Sequence, residues 1–417
     1  MTIPLNTIIH GDGLEVLKGI PADSFDSCVT DPPYGLGFMG KAWDKSGIAN
    51  NVDLWREVLR VLKPGAHLLS FGGSRTYHRM ACAIEDAGFE IRDQIMWIYG
   101  SGFPKSHDIG KAIDKQAGAV REVVGNTIYA NGKAHAPSGI HYSEKKPELQ
   151  SGADRVITAP ATPEARKWDG WGTALKPAHE PICVARKPFK GTVAENVLQH
   201  GTGAINVDGC RIETQQSRPL IISKNGDSKA CFGQGLNNSW QDPAGTILGR
   251  FPANVIHDGS DEVTALFPET QSRSSNTPQP IMTSKGIKGG AFGNDAARKP
   301  EGHPTHPEYL RGGFDDSGSA ARFFYCAKAS RDERGPGNNH PTVKPLALIQ
   351  YLVKLVTPPG GIVLDPFCGS GTLGIAAGKL GMKWQGIELN PKYIEIAERR
   401  IEREVGLLLD MEAAHAD

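Results

Sequence analysis

Gly361-Ile362-Val363-Leu364-Asp365-Pro366-Phe367-Cys368-Gly369-Ser370-Gly371-Thr372 reads as a buried strand, then a glycine-rich turn, then a helix from Leu373 onward. Gly369 and Gly371 carry no Cβ, so the backbone there can approach a ligand closely at the strand's carboxyl end, where open α/β sheets bind cofactors. The spacing is not the G-x-G-x-x-G of dinucleotide sites, and no lysine follows as in a P-loop, which argues against NAD and ATP. Lys383-Trp384-Gln385-Gly386-Ile387-Glu388 reads as the next strand and ends in an acid. A carboxylate about 20 residues after such a loop suits the hydroxyls of a ribose.

Near the amino terminus a second strand, Phe25-Asp26-Ser27-Cys28-Val29-Thr30, delivers Asp31-Pro32-Pro33-Tyr34 at its carboxyl end. Consecutive prolines cannot join a sheet ladder and hold the backbone extended, so the strand stops there. The product is a rigid hook with one carboxylate, backbone carbonyls and one aromatic ring. Such a hook can grip a planar group bearing an NH2: carboxylate and carbonyl accept its two hydrogens while the tyrosine stacks on its face. An exocyclic amine of a nucleobase fits that description. Taken alone, the tetrapeptide is equally a proline-rich turn with Asp31 as a cap and Tyr34 half buried.

Hook and loop together, in this order, resemble the amino-group DNA methyltransferases of the permuted β class. Gly11-Asp12, Arg60-Val61-Leu62-Lys63-Pro64-Gly65 and His340-Pro341-Thr342-Val343-Lys344-Pro345 extend the resemblance. It covers roughly the first hundred residues and the last ninety. It implies an α/β, Rossmann-like, S-adenosylmethionine-dependent methyltransferase fold, circularly permuted, with a loop-rich inserted target-recognition region. The expected organisation is a catalytic half over residues 1–190 with an insertion at 101–178, target recognition over 191–325, and a cofactor-binding half over 326–417. Asp31, Pro32, Pro33 and Tyr34 are then the catalytic residues. Asp12 would receive the adenine amino group of the cofactor, with an N-cap on the next helix as the alternative. Asp365, Phe367, Cys368, Gly369, Ser370, Gly371, Thr372, Glu388 and Asn390 would line the rest of that site. A helix opening at Pro345 would offer backbone N–H groups to the cofactor's carboxylate, with Thr342 assisting and Lys344 either helping or covering the surface.

The remainder of the chain constrains this reading. No apolar run approaches the ~20 residues that span a bilayer, and Met1 to Leu17 lacks the basic start and apolar stretch of a signal peptide. The seven cysteines include no C-x-x-C pair, so neither a disulfide framework nor a zinc site is indicated, and a cytoplasmic setting is expected. His303 and His306 have no cysteine or acid partners at metal-ligand spacing. Lys and Arg number 46, as do Asp and Glu. A zero net charge excludes binding to nucleic acid by bulk charge and requires basic residues to be gathered locally.

Between the motifs, Leu5 to His10, His67 to Phe71 and Ile91 to Tyr99 read as strands. Leu14 to Lys18, Asn50 to Leu62, Tyr77 to Gly88 and Tyr393 to Leu408 read as helices. This alternation predicts a mainly parallel sheet covered on both faces. Gly35 to Gly40 is a candidate lid. Residues 101–176 interleave basic residues such as Lys145-Lys146 with Trp168 and Trp171, which suits a DNA-facing insertion or a solvated loop. Ile182-Cys183-Val184-Ala185 is expected to pair with the strand ending at Tyr99; His179-Glu180-Pro181 ahead of it carries no assignable chemistry. Ala204 to Val207, Asn254 to His257 and Arg322 to Ala329 read as short strands within or after the recognition region.

The reaction implied is methyl transfer to N6 of adenine on a base flipped out of double-stranded DNA. Cytosine N4 stays open, because the same hook serves any exocyclic amine, although family members acting on cytosine more often have Ser in place of Asp31. Methylation of cytosine C5 needs a nucleophilic cysteine, typically in a Pro-Cys pair, and none occurs. A catalytically silent nucleic-acid binder and an RNA or nucleotide methyltransferase are the competing readings. A homodimer and a separate endonuclease partner in a restriction-modification setting stay open; no Pro-Asp nuclease signature is present in the chain.

Overall fold

The structure is a computed structural model and describes residues 4–35, 47–102, 106–126, 156–213, 249–271, 317–327, 333, 338 and 343–406. The chain begins β1 (Thr7–His10), α1 (Gly13–Lys18), β2 (Phe25–Thr30), α2 (Val52–Val61), β3 (Leu62–Phe71), α3 (Tyr77–Asp86) and β4 (Glu90–Ile98). Then come α4 (Ile109–Gln116), β5 (Val123–Asn126), β6 (Val156–Thr158), α5 (Pro163–Lys167), β7 (His179–Arg186), α6 (Val193–His200) and β8 (Val255–His257). They are followed by α7 (Asp261–Thr264), β9 (Glu269–Gln271), β10 (Ser317–Ser319) and β11 (Tyr325–Cys326). The chain closes with α8 (Leu346–Val356), β12 (Ile362–Asp365), α9 (Thr372–Lys379), β13 (Lys383–Glu388) and α10 (Pro391–Ile401).

The main sheet has nine strands in the order β1-β13-β12-β2-β3-β7-β4-β8-β11. From β1 to β3 every pairing is parallel. β7 makes its expected pairing with β4 and runs antiparallel to both β3 and β4, and β8 is parallel to β4. This is the Rossmann-like α/β architecture expected from the sequence. The two ends of the chain interleave in it: β12 lies between β13 and β2, so the glycine loop and the hook leave the same edge side by side. On one face Leu17, Trp55, Val58 and Ile84 of α1 to α3 pack on Phe25, Cys28, Leu68, Leu364 and Ile387. Each such Leu or Ile contributes about 2 kcal/mol of burial. On the other face Ser27 shares a 2.7 Å hydroxyl hydrogen bond with Thr357, the C-cap of the largely apolar α8. No described helix is long and apolar enough to cross a membrane.

The insertion is more ordered around its acid than its composition suggested. Asp114, buried on α4, accepts bonds from the Ala161 and Thr162 N–H groups, the Thr162 hydroxyl and Arg121. Burial works against its charge, but those donors outweigh it and hold the carboxyl down at about 2.

Several expected boundaries move. β3 starts at Leu62, not His67, because the ladder with β2 already begins at the Phe25–Leu62 pair and absorbs a register shift. No strand forms at Ala204 to Val207, where a 3₁₀ turn follows at Asp208–Cys210. The strand expected from Arg322 opens instead as a 3₁₀ turn, Ala320–Phe323, because Ser319 caps it by accepting the Ala321 N–H. Two compact units emerge: Met1–Ile205 with Asn254–Thr264 and Cys326–Asp417, and Asn206–Ala253 with Ala265–Tyr325. Asn254–Thr264 belongs to the first because β8 bonds β4. In the second, β9 and β10 form an antiparallel pair. There Arg322 donates to the Thr270 hydroxyl and carbonyl, and the Arg250 and Arg322 guanidiniums each lie 4.4 Å from the Phe323 ring.

Candidate active site

Four adjacent parallel strands deliver acids to one edge of the sheet. In spatial order they are Asp12 just after β1, Glu388 ending β13, Asp365 ending β12 and Asp31 just after β2. Parallel strands with short turns at their carboxyl ends produce such a row without any long excursion of the chain.

The glycine loop is fixed largely through its own backbone. The Cys368 N–H donates to the Ile387 carbonyl at 2.9 Å, and the Gly371 N–H to the Cys368 carbonyl at 3.0 Å. Gly369 and Gly371 both sit at positive φ, 54° and 79°, and a Cβ at Gly371 would lie 2.8 Å from that of Ala397. Glu388 accepts the Gly369 N–H on one oxygen and the Asn390 N–H on the other, each at 2.8 Å. Burial pushes its carboxyl up, against those two donors. Asp365 accepts the Thr30 hydroxyl at 2.7 Å and the Phe367 N–H at 3.0 Å. Burial, with the Asp31 and Glu388 charges adding to it, nevertheless raises Asp365 to about 7.

Several expected ligand residues face the scaffold. The Ser370 hydroxyl accepts from Arg400 at 2.9 Å and the Thr372 hydroxyl at 3.3 Å, and the same guanidinium bonds the Ser370 carbonyl. The Cys368 thiol packs on Gly386, and the Asn390 side chain caps α10 by accepting the Lys392 N–H. Asp12 is the N-cap of α1, its Oδ1 accepting the Leu14 and Glu15 N–H groups. At the start of α8, Pro345 is the N-cap, and the Leu346 N–H donates to Glu333 at 2.9 Å, so the chain's own carboxylate occupies the place expected for a ligand anion. Thr342, Leu36 to Gly40, Lys145-Lys146, His303 and His306 lie outside the described residues. Among the described residues no three His, Cys, Asp or Glu form a metal-ligand group.

The hook is held by side chains from distant segments. Asp31 accepts the Tyr34 hydroxyl at 2.8 Å and the Lys344 ammonium at 2.5 Å. Lys344 is therefore not a surface residue; it is buried in the hook, with its Nζ 4.9 Å from the Phe71 ring centroid. Glu180, at the start of β7, is 2.8 Å from the Tyr34 hydroxyl and 3.2 Å from Lys344. Burial alone would lower the Lys344 ammonium, but Asp31 and Glu180 overrule it and hold it well above the ordinary lysine range. Burial, then the same two carboxylates, push the Tyr34 phenol well above its usual value.

Sequence reasoning missed Glu180, Arg400 and Thr30. Glu180 becomes visible only once antiparallel β7 is known to enter the sheet at the edge where parallel β3 leaves it. Arg400 sits beside Arg399 and looks like a solvated face, yet it follows Ile396 and Ala397 on the buried side of α10.

Sequence comparison gives short matches to known proteins. The chain is 48% identical to the DNA adenine methyltransferase YhdJ of Escherichia coli (strain K12) over 64 residues, 15% of this chain and 22% of that protein. It is 43% identical to the type II methyltransferase M2.DpnII of Streptococcus pneumoniae over 65 residues, 16% of this chain and 24% of that one. The matched stretches thus span about a quarter of those relatives' own lengths. Among solved structures, the M1.HpyAVI–SAM complex aligns over 95% of this chain and 98% of its own, with 16% identity and a TM-score of 0.39. The family model described as DNA methylase, N6_N4_Mtase, matches residues 25–399, from β2 into α10, and the chain belongs to that family.

Proposed function

We propose that the protein is a site-specific DNA methyltransferase that moves a methyl group from S-adenosylmethionine to the N6 amine of adenine. One observation carries the reading: the hook and the glycine loop meet at the carboxyl ends of β2 and β12, tied by the 2.7 Å bond from Thr30 to Asp365. A group held by the loop thus lies beside one held by the hook, the arrangement a direct transfer needs.

The residues fit the cofactor. Two glycines at positive φ open the backbone, Glu388 suits ribose hydroxyls, Asp12 uses only Oδ1 in its cap and so has Oδ2 for the adenine amino group, and the ionised form of Asp365 complements a positively charged ligand. When bound, S-adenosylmethionine supplies a methyl group already activated by a sulfonium leaving group. The chain's task is then to make the amine a better nucleophile. In free adenine the nitrogen lone pair is delocalised into the ring. Asp31 and a carbonyl of Pro32 or Pro33 would accept its two N–H groups and draw the nitrogen toward tetrahedral geometry, which localises that lone pair. The Tyr34 ring supplies a stacking face, which offsets part of the few kcal/mol needed to extrude the base.

The second unit supports a recognition role, since Arg250, Arg322 and Phe323 put cations and an aromatic face together. The DNA substrate favours a cytoplasmic setting. The test is single-molecule sequencing of DNA from a methylation-deficient host expressing the chain, beside an Asp31→Ala control. N6-methyladenine in a fixed motif, absent from the control, is expected. Methyl on cytosine N4 would keep the mechanism and overturn the substrate; no modified base would overturn the reading.

A further inference from the structure

The Tyr34 hydroxyl stands between two carboxylates, 2.8 Å from Asp31 Oδ1 and 2.8 Å from Glu180 Oε2. A phenol has one hydrogen to donate, so it can satisfy only one of them at a time and must accept a proton from, or face the lone pair of, the other. Lys344 lies 2.5 Å from Asp31 Oδ2 and 3.2 Å from Glu180 and from the Tyr34 hydroxyl, which keeps a positive charge against both carboxylates and the phenol. We propose that Glu180 is the terminal proton acceptor of the hook, reached from Asp31 through the hydroxyl of Tyr34. The inference rests on the proposed amine methylation.

That reaction must dispose of one proton. The nitrogen lone pair forms the new C–N bond, the methyl carbon–sulfur bond breaks with its electron pair on sulfur, and the amine is left with one N–H too many. Asp31, the residue touching the amine, takes that proton. Its new O–H then donates to the Tyr34 oxygen while the Tyr34 O–H proton passes to Glu180, a two-step shift along bonds already formed. The phenol ends neutral, Asp31 ends as a carboxylate ready for the next amine, and Glu180, whose side chain is 18% exposed, returns the proton to water. Tyr34, Lys344 and Tyr99 are the titratable groups that face Glu180, and Asp365 is the carboxyl nearest Asp31 on the loop side. Glu180 acts through Tyr34 and is a positioning residue in that sense.

The test uses the full chain, S-adenosylmethionine carrying a labelled methyl group, and duplex DNA, with single-turnover rates followed across pH for wild type, Glu180→Gln, Tyr34→Phe and the double variant. Tyr34→Phe keeps the stacking ring and removes only the bridge. Each single variant is expected to lose roughly 100-fold in rate while KM for DNA and cofactor stays within about 3-fold. The double variant should be no slower than either single one. Glu180→Asp, which keeps a carboxylate acceptor, should recover part of the rate at every pH, where Glu180→Gln does not. A Glu180→Gln enzyme with a wild-type rate, or a double variant much slower than either single one, overturns the relay while leaving amine methylation standing. A wild-type chain that transfers no methyl to DNA overturns both.

Discussion

The glycine loop and the hook are neighbours on one sheet edge, yet they are built in opposite ways. The loop is held mainly by its own backbone N–H groups, which donate to its own Cys368 carbonyl and to the Ile387 carbonyl and Glu388 carboxylate of β13, reinforced by Arg400. The hook takes its shape from prolines but its electrostatics from Glu180 and Lys344, which are remote in sequence. A loop of the first kind tolerates change in most side chains and almost none at its positive-φ glycines. A hook of the second kind is sensitive to distant charges, and its chemistry can be lost without any change to the four residues that define it.

The sharpest way to separate the two is Asp31→Ala. We expect at least about a 1000-fold loss of methyl transfer with cofactor affinity within a few-fold of wild type by calorimetry, because Asp31 serves the hook and not the loop. Next comes Lys344→Met, which leaves Asp31 and Glu180 as uncompensated carboxylates across Tyr34. Stability in urea should fall by about 3 kcal/mol, and Lys344→Met combined with Glu180→Gln should recover part of it, since one charge fewer is then stranded. A loss with no recovery would mean that packing of the lysine stem, not charge, fixes the hook.

The loop is probed by Gly371→Ala, which forces a Cβ into a backbone at φ 79° and against Ala397. About 2 kcal/mol of destabilisation is expected, with cofactor binding weakened and the hook's pH behaviour unchanged. The mildest effect concerns Asp365. With its folded pKa raised to about 7, it is neutral below and ionised above that value, so affinity for a cationic cofactor should weaken by up to about tenfold per pH unit below 7. Asp365→Asn should flatten that dependence. The linkage to stability has the opposite sense: the folded protein holds this proton more tightly than the unfolded chain, so this contribution is present at acid pH and is lost as pH rises toward 7.

This contrast also explains what the sequence made legible. Strand, glycine turn, helix and terminal acid lie within one short stretch, so their arrangement around Asp365 and Glu388 could be read locally. The pair of prolines likewise announced the end of β2. The roles of Ser370, Thr372 and Asn390 were harder to read, because a hydroxyl or amide in a turn can face a ligand or the scaffold; the buried guanidinium of Arg400 decides for the two hydroxyls and the Lys392 N–H for the amide. Glu180 and Lys344 acquire meaning only when β7 and the segment before α8 converge on Tyr34, a convergence set by strand order. Around Asp114 the misleading signal was composition: the acid gathers two backbone N–H groups, a hydroxyl and Arg121 into a folded anchor that weak periodicity does not reveal.

The interleaving of the chain's ends also governs the order of assembly. Among the described strands β1 has one sheet neighbour, β13, and the register pairs Thr7 with Gln385. At ribosomal rates of synthesis, the first strand therefore waits on the order of 20–75 s for its partner to be made. The hook, too, stays without Lys344 for most of that time. The nascent chain can hold the paired strands β2, β3, β7 and β4 well before β12 and β13 are made, so the row of acids on the sheet edge is completed only after the rest of the sheet has a partner to fold on.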